Sequence, residues 1–134
     1  MTQVSAIVST YNNSCFLEGC IRNLLNQSIN KDGNLEIVVI DSGSTESEGE
    51  IVRSFRNNYP EIKYIRTENR ESLYQAWNRG IEMASGQYIT NANTDDRHHS
   101  ECIERLVNKL EKQPDCDVAY GNLYKSATPN EIFD

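Results

Sequence analysis

Leu35-Glu36-Ile37-Val38-Val39-Ile40-Asp41 carries four consecutive branched aliphatic residues and ends in a carboxylate. A strand with one wet face alternates apolar and polar side chains, whereas an unbroken run of this kind suits burial on both faces, as in the interior of a parallel sheet. A parallel neighbour needs a crossover, and the flanking sequence offers one on each side. Upstream, Val4 to Thr10 reads as a strand. Leu17, Cys20, Ile21, Leu24 and Leu25 then recur at helical spacing with Ser14 available as the cap. Downstream, Asp41-Ser42-Gly43-Ser44 is a turn, and Ser47 with Glu50 forms a capping box ahead of Ile51, Val52, Phe55 and Tyr59. Pro60 stops that helix before a short strand from Ile62 to Arg66.

The alternation continues to the end of the chain. Ser72 and Gln75 make a second capping box, opening a helix with Leu73, Ala76, Trp77, Gly80, Ile81 and Ala84 on one face and Gly86 just beyond it. Trp77 is expected in the core. Tyr88 to Asn93 is the next strand, Ile103, Leu106, Val107 and Leu110 mark a helix ended by Pro114, and Val118 to Asn122 reads as a fifth strand. Strands alternating with helices imply βαβ units, so the expected fold is α/β, Rossmann-like, with a mostly parallel sheet of about five strands and helices on both faces. The 134 residues are read as a single domain, 1–134. Ligands of such sheets bind outside the carboxyl ends of the strands. Three polar strand ends, Thr10-Tyr11-Asn12-Asn13, Asp41-Ser42-Gly43-Ser44 and Asn93-Thr94-Asp95-Asp96, are expected on that one edge, where together they describe a cleft for a polar, partly aromatic ligand.

Composition narrows the function classes. Thirteen basic against twenty acidic residues give a net charge of −7, which argues against nucleic acid or an anionic membrane as the main partner. Cys15, Cys20, Cys102 and Cys116 include no C-x-x-C pair, so reduced and mostly buried thiols are expected rather than a zinc site or a disulfide framework. The N-terminus lacks the basic flank and long apolar run of a signal peptide, and no apolar run reaches the roughly 18 residues of a membrane span. A cytoplasmic location follows, with membrane docking left to a part of the chain not present here.

No G-x-G-x-x-G follows the first strand and no P-loop occurs, so phosphates on a ligand would need another means of neutralisation. Asp95 and Asp96 supply one by holding Mg²⁺ or Mn²⁺, hard cations that take oxygen ligands and keep water and phosphate oxygens for the rest. The plainer reading is that one of them caps the next helix. Asp41 likewise reads as a turn residue or as a ligand contact. Asn78 interrupts an apolar helix pattern and, if buried, must find partners, such as the loop around Asp96. His98 and His99 are exposed cap residues unless one joins a cation, and Arg97 is a candidate phosphate contact.

The ordered set Val8-Ser9-Thr10-Tyr11-Asn12, Val39 to Thr45, Leu73 to Ile81, Ser85 to Ile89 and Asn93 to Asp96 resembles the nucleotide-binding half of family 2 glycosyltransferases with the GT-A fold. The resemblance runs from about Val4 to Asn122. It implies that Thr10, Tyr11, Asn12, Asp41 and Ser42 hold the base of a nucleoside diphosphate sugar. Usually this is uridine, although Ser42 stands where a second acidic contact is common, which keeps guanosine and thymidine open. It further implies that Asn93 and Asp95 belong to the donor site with Asp95 on the ribose, that Asp96 binds the metal (Mn²⁺ or Mg²⁺), and that Arg70 lies in a loop folded over the diphosphate. Asn78 is placed behind the metal loop.

The implied reaction is inverting transfer of the sugar to a hydroxyl of an unidentified glycan or lipid-linked acceptor. No catalytic base is expected within the chain. The resemblance puts that acidic residue downstream of Asp134 together with the acceptor site, so that the chain compares with a front half truncated after the aspartate-motif region; Glu131 and Asp134 are poor substitutes. A sheet edge normally covered by later strands would invite self-association, and a homodimer is expected. The alternative is a non-catalytic nucleotide- or partner-binding module of the same fold.

Overall fold

The computed structural model describes residues 2–132, so Asp134 lies outside them. Its strands are β1 (Val4–Thr10), β2 (Leu35–Asp41), β3 (Lys63–Arg66) and β4 (Tyr88–Asn91). Its α-helices are α1 (Ser14–Leu25), α2 (Glu48–Arg56), α3 (Leu73–Met83) and α4 (Cys102–Glu111), with a short 3₁₀ turn at Ser28–Asp32 that the apolar pattern did not signal. The sheet order is β3-β2-β1-β4 and every pairing is parallel. All seven residues of β2 are buried, which is what its unbroken aliphatic run required.

Each strand divides its side chains between two layers. Val4, Ala6 and Val8 of β1 and Leu35, Ile37 and Val39 of β2 join α1, α2 and α4 in the larger core. Ile7, Val38 and Ile40 point to the opposite face, where Ala76 of α3 packs on them with Trp77 beside it. Gly80 permits this close approach, because a Cβ there would stand 2.3 Å from Ile7 Cγ2.

The fifth strand is not formed. Val118 and Tyr120 are 76% and 90% exposed and residues 118–122 are irregular. The segment has strand-forming side chains, but no neighbour among the described residues offers it a ladder, and backbone N–H and C=O groups do not extend into a strand without one. Two expected caps also differ. Ser47 occupies the N-cap position of α2 but makes no side-chain cap bond. Ser14 is already helical rather than a cap; its N–H donates to Glu46 at 3.2 Å, and the Asn13 N–H donates to Glu48 Oε1 at 2.7 Å. The free N–H groups at the start of α1 are thus met by carboxylates from just before α2 and from its first residue, which also suit the positive end of the helix. The box of Ser72 and Gln75 forms as expected.

Candidate functional site

β1 is followed in space by β2 on one side and by β4 on the other, so the winding of the sheet reverses between β1 and β4. A crevice opens outside the carboxyl ends at such a switch point. Here it is a cavity of about 290 Å³ lined by Thr10, Tyr11 and Asn13 after β1, Ser42 after β2, Arg70 and Glu71 before α3, and Asn93, Thr94 and Asp95 after β4. All three strand ends singled out in the sequence meet there.

Six of the expected site residues, Thr10, Tyr11, Ser42, Arg70, Asn93 and Asp95, line the cavity. The Thr10 hydroxyl oxygen is buried without a hydrogen-bond partner, an arrangement that costs free energy unless something supplies one. Arg70 lays its guanidinium over the Tyr11 ring, 4.2 Å from the centroid, a contact worth about 0.5–1 kcal/mol at an exposed site. Glu71 beside it is held by a forked pair with Arg79, whose Nε and Nη2 donate at 2.6–2.9 Å. Gly43, at φ +71°, lets the β2 turn pack on the backbone of Thr67 to Asn69, where a Cβ would be 3.2 Å from a carbonyl.

Asn12 and Asp41 stand behind the cavity wall. Asn12 adopts φ +48°, in the left-handed region that Asn tolerates, and its Oδ1 accepts from the Thr45 N–H at 2.8 Å. Asp41 is 1% exposed; its carboxylate accepts from the Ser44 N–H and the Tyr64 hydroxyl, both at 2.8 Å, with Arg66 Nε at 3.8 Å. These bonds anchor the turn that follows β2. Burial, and then the bond to Asp41, hold the Tyr64 hydroxyl far above its ordinary pKa, so it remains a donor. Asn78 is exposed on α3 and does not line the cavity, so the condition of burial is not met: α3 turns Ala76 and Gly80 to the sheet and leaves position 78 outside.

Asp95 and Asp96 are exposed carboxylates in the loop after β4, and Asp96 Oδ2 accepts from Asn93 Nδ2 at 2.8 Å. Their donor set fits a hard divalent cation that draws its remaining ligands from water and phosphate. No group of three or more His, Cys, Asp or Glu side chains suited to a metal occurs among the described residues. His98 is not an exposed cap residue; burial, only partly offset by Asp96, pushes its pKa down. His99 is exposed, and its Nδ1 accepts from the Glu101 N–H at 3.2 Å. Arg97 points its terminal nitrogens at protein oxygens rather than into the cavity.

The sequence reading passed over the residues that carry this loop. Asn23, buried on α1, and Gln27, buried just beyond its end, act as a pair of side-chain amides. Asn23 donates to the His98 carbonyl and accepts from the His98 N–H, and Gln27 donates to the His99 carbonyl and accepts from the Ile103 N–H. An amide among the apolar positions of α1 and a second one just past its end were the available signal. Cys20 lies in the same row, with Sγ 3.7 Å from the Asn93 carbonyl, and burial pushes its thiol up to about 11. The four cysteines are free thiols, but Cys15 and Cys116 are exposed, so the expectation of burial fails for those two.

A parallel α/β sheet with a polar cleft at its switch point defines a class of fold that takes its ligands outside the carboxyl ends of the strands. The chain belongs to the family described as Glycosyl transferase family 2, which it matches over residues 5–132. It is 35% identical to glycosyltransferase GlyG of Streptococcus pneumoniae over 121 residues, covering 90% of this chain and 39% of GlyG. It is 34% identical to glycosyltransferase GlyA of the same organism, covering 98% of this chain and 18% of GlyA. The chain thus spans well under half the length of these curated relatives. S. aureus TarS 1-349 in complex with UDP superposes with a TM-score of 0.76 at 24% identity, over 84% of this chain and 33% of that fragment; at that identity the likeness shows the GT-A fold alone. The mannosyltransferase PcManGT from Pyrobaculum calidifontis, in complex with GDP-Man and Mn²⁺, superposes with a TM-score of 0.65 at 28% identity, over 71% and 28% of the two chains.

Proposed function

We propose that this chain is the donor-binding part of a metal-dependent, inverting glycosyltransferase that uses a nucleoside diphosphate sugar, UDP-linked before GDP- or dTDP-linked. The observation that carries the reading is the cleft at the β1/β4 switch point, where Thr10, Tyr11, Ser42, Arg70, Asn93 and Asp95 converge and a buried hydroxyl lacks a partner. Tyr11 offers a face on which a base stacks, and Ser42 and the Thr10 hydroxyl offer hydrogen bonds to it, while Asp41 and Asn12 hold the wall that presents them. Asp95 takes the ribose hydroxyls. Asp96 would hold Mn²⁺ or Mg²⁺, which when bound neutralises charge on the departing diphosphate. Arg70, resting on Tyr11 at the rim, is within the cleft's wall and free to swing onto phosphate oxygens.

The acceptor, a glycan or lipid-linked hydroxyl compound, and the acidic general base belong to sequence after Asp134 in this reading; the base must come within hydrogen-bond reach of the hydroxyl it deprotonates. Support for sugar transfer comes from the family match and from PcManGT, whose complex holds GDP-Man and Mn²⁺.

Calorimetric titration of the chain with UDP, GDP and dTDP, each with Mn²⁺ and again with EDTA, tests the proposal. One nucleotide should bind only with Mn²⁺, and Asp96→Ala should abolish the metal-dependent part. Binding of none of the three, with cation present, would reject the donor-site reading and favour a non-catalytic module that binds some other partner.

A further inference from the structure

We propose that Arg97 is a positioning residue for the Asp95-Asp96 loop, and that Gly19 of α1 lacks a side chain because the Arg97 guanidinium occupies that space. The proposal rests on the reading of these two carboxylates as donor-site groups.

The guanidinium spends its terminal nitrogens on protein oxygens. Nη1 donates to the carbonyl oxygens of Thr94 at 2.7 Å and Asp96 at 2.6 Å, closing the loop on itself. Nη2 donates to the Phe16 carbonyl at 3.0 Å, and to the Asn130 side chain, tying the same loop to the first turn of α1. One planar fork therefore fixes the carbonyls on both sides of Asp95, and its partners are three backbone oxygens and an amide oxygen rather than the two carboxylates. A cation of the protein that paired with Asp95 or Asp96 would compete with an incoming metal ion; here the positive charge shapes the loop and leaves the carboxylates free. Asn23 and Gln27 hold the next residues, so the loop is pinned to α1 both at Arg97 and beyond it.

Gly19 is the complement of this arrangement on the helix. A Cβ at position 19 would stand 2.6 Å from Arg97 Nη2, 2.7 Å from Asn130 Oδ1 and 3.3 Å from Arg97 Cζ. Glycine in a helix interior is otherwise unfavourable relative to alanine. The obstructing atoms are the ends of two flexible side chains, the Arg97 guanidinium and the Asn130 amide bonded to it, so an alanine would expel that pair from beside α1 rather than break the fold, and removal of Arg97 also releases Asn130. The sign of the substitution then depends on what stands at position 97.

The test compares the parent chain, Gly19→Ala, Arg97→Ala and the double variant, read by amide hydrogen exchange, thermal unfolding and Mn²⁺-dependent nucleotide titration. In the parent background Gly19→Ala should speed exchange at the Asp96 and His98 amides about tenfold and weaken nucleotide binding by a similar factor, as loss of charge-assisted hydrogen bonds does. Arg97→Ala should do the same. In the Arg97→Ala background Gly19→Ala should leave both readouts unchanged and raise the unfolding temperature, as glycine-to-alanine replacement in a helix ordinarily does. Additive effects of the two substitutions, or faster exchange with unchanged nucleotide affinity, would overturn the proposal. If the parent chain binds no nucleotide, the donor-site reading has failed instead, and the exchange comparison alone decides whether Arg97 sets the loop.

Discussion

Glu36 is the residue whose partners contribute most plainly to stability. Its side chain, 9% exposed, accepts from the Ser5 hydroxyl at 2.6 Å, the Ser85 N–H at 2.9 Å and the Ser85 hydroxyl at 2.8 Å, and pairs with Lys63 at 2.6 Å. Burial pushes its pKa up, but the bonds from Lys63, Ser5 and Ser85 outweigh burial and bring it from 4.5 down to about 2. A carboxyl with a depressed native pKa contributes its full stabilisation above the unfolded value and loses it as pH falls through the native one. The melting temperature should therefore fall between about pH 4.5 and pH 2 in the parent chain, and Glu36→Gln should flatten that part of the curve. The substitution itself should cost about 2 kcal/mol at pH 7, since it leaves Lys63 and two hydroxyls short of an acceptor. An unaltered acid limb in Glu36→Gln would show that other carboxyls govern it. Legibility at this scale depended on chain distance. Thr10, Tyr11, Ser42 and Asp95 could be placed at the cleft because strand ends are readable locally, whereas the engagement of Asp41 came from Tyr64 and Arg66, more than twenty residues away.

At the scale of elements, β1 and β2 have the bounds their apolar runs gave, since a buried strand has no freedom to start elsewhere. α3 was equally readable, because its cap is local: the Ser72 side chain accepts from the Gln75 N–H, and Gln75 Oε1 accepts from the Ser72 N–H at 2.9 Å. Ser72→Ala should lower unfolding free energy by about 1 kcal/mol in denaturant titration with an unchanged m-value. Gly80→Ala, which helix propensity alone would favour, should instead cost about 1–3 kcal/mol, because the new methyl group meets Ile7 in a packed layer. A gain in stability for that variant would mean that α3 can move off the sheet. The segment 118–122 failed as a strand for the converse reason: side-chain pattern proposes a strand, but a neighbouring ladder decides it. The carboxylates that serve α1 were missed because they come from the start of another helix, more than thirty residues away.

Across the whole molecule the two faces of the sheet are unequally covered. α1, α2 and α4 close one face, while among the described residues α3 alone lies on the other with Leu73, Tyr74 and Ile81 exposed by 46%, 72% and 48%, and Ile89 of the edge strand β4 exposed by 46%. Open strand edges and apolar stripes favour association. Light scattering should show a mass that rises with concentration, and Leu73→Gln with Ile81→Gln should return it to that of a monomer; a monomer at high concentration in the parent chain would remove the expected homodimer. Among the described residues no helix is long and apolar enough to cross a membrane. The sheet is also divided along its length. At its amino end Glu36 and Lys63 are bonded into a closed cluster, and at its carboxyl end Asp95 and Asp96 stand open to solvent. Five residue steps of β1 separate Ser5 from Thr10, roughly 17 Å at about 3.3 Å per step, which is beyond the screening length of ~8–10 Å in ordinary salt. Changes at one end therefore go unheard at the other. A lineage carrying this fold is free to drift in what it recognises without renegotiating whether it folds, and an engineer can harden the amino end first and retune the carboxyl end afterwards.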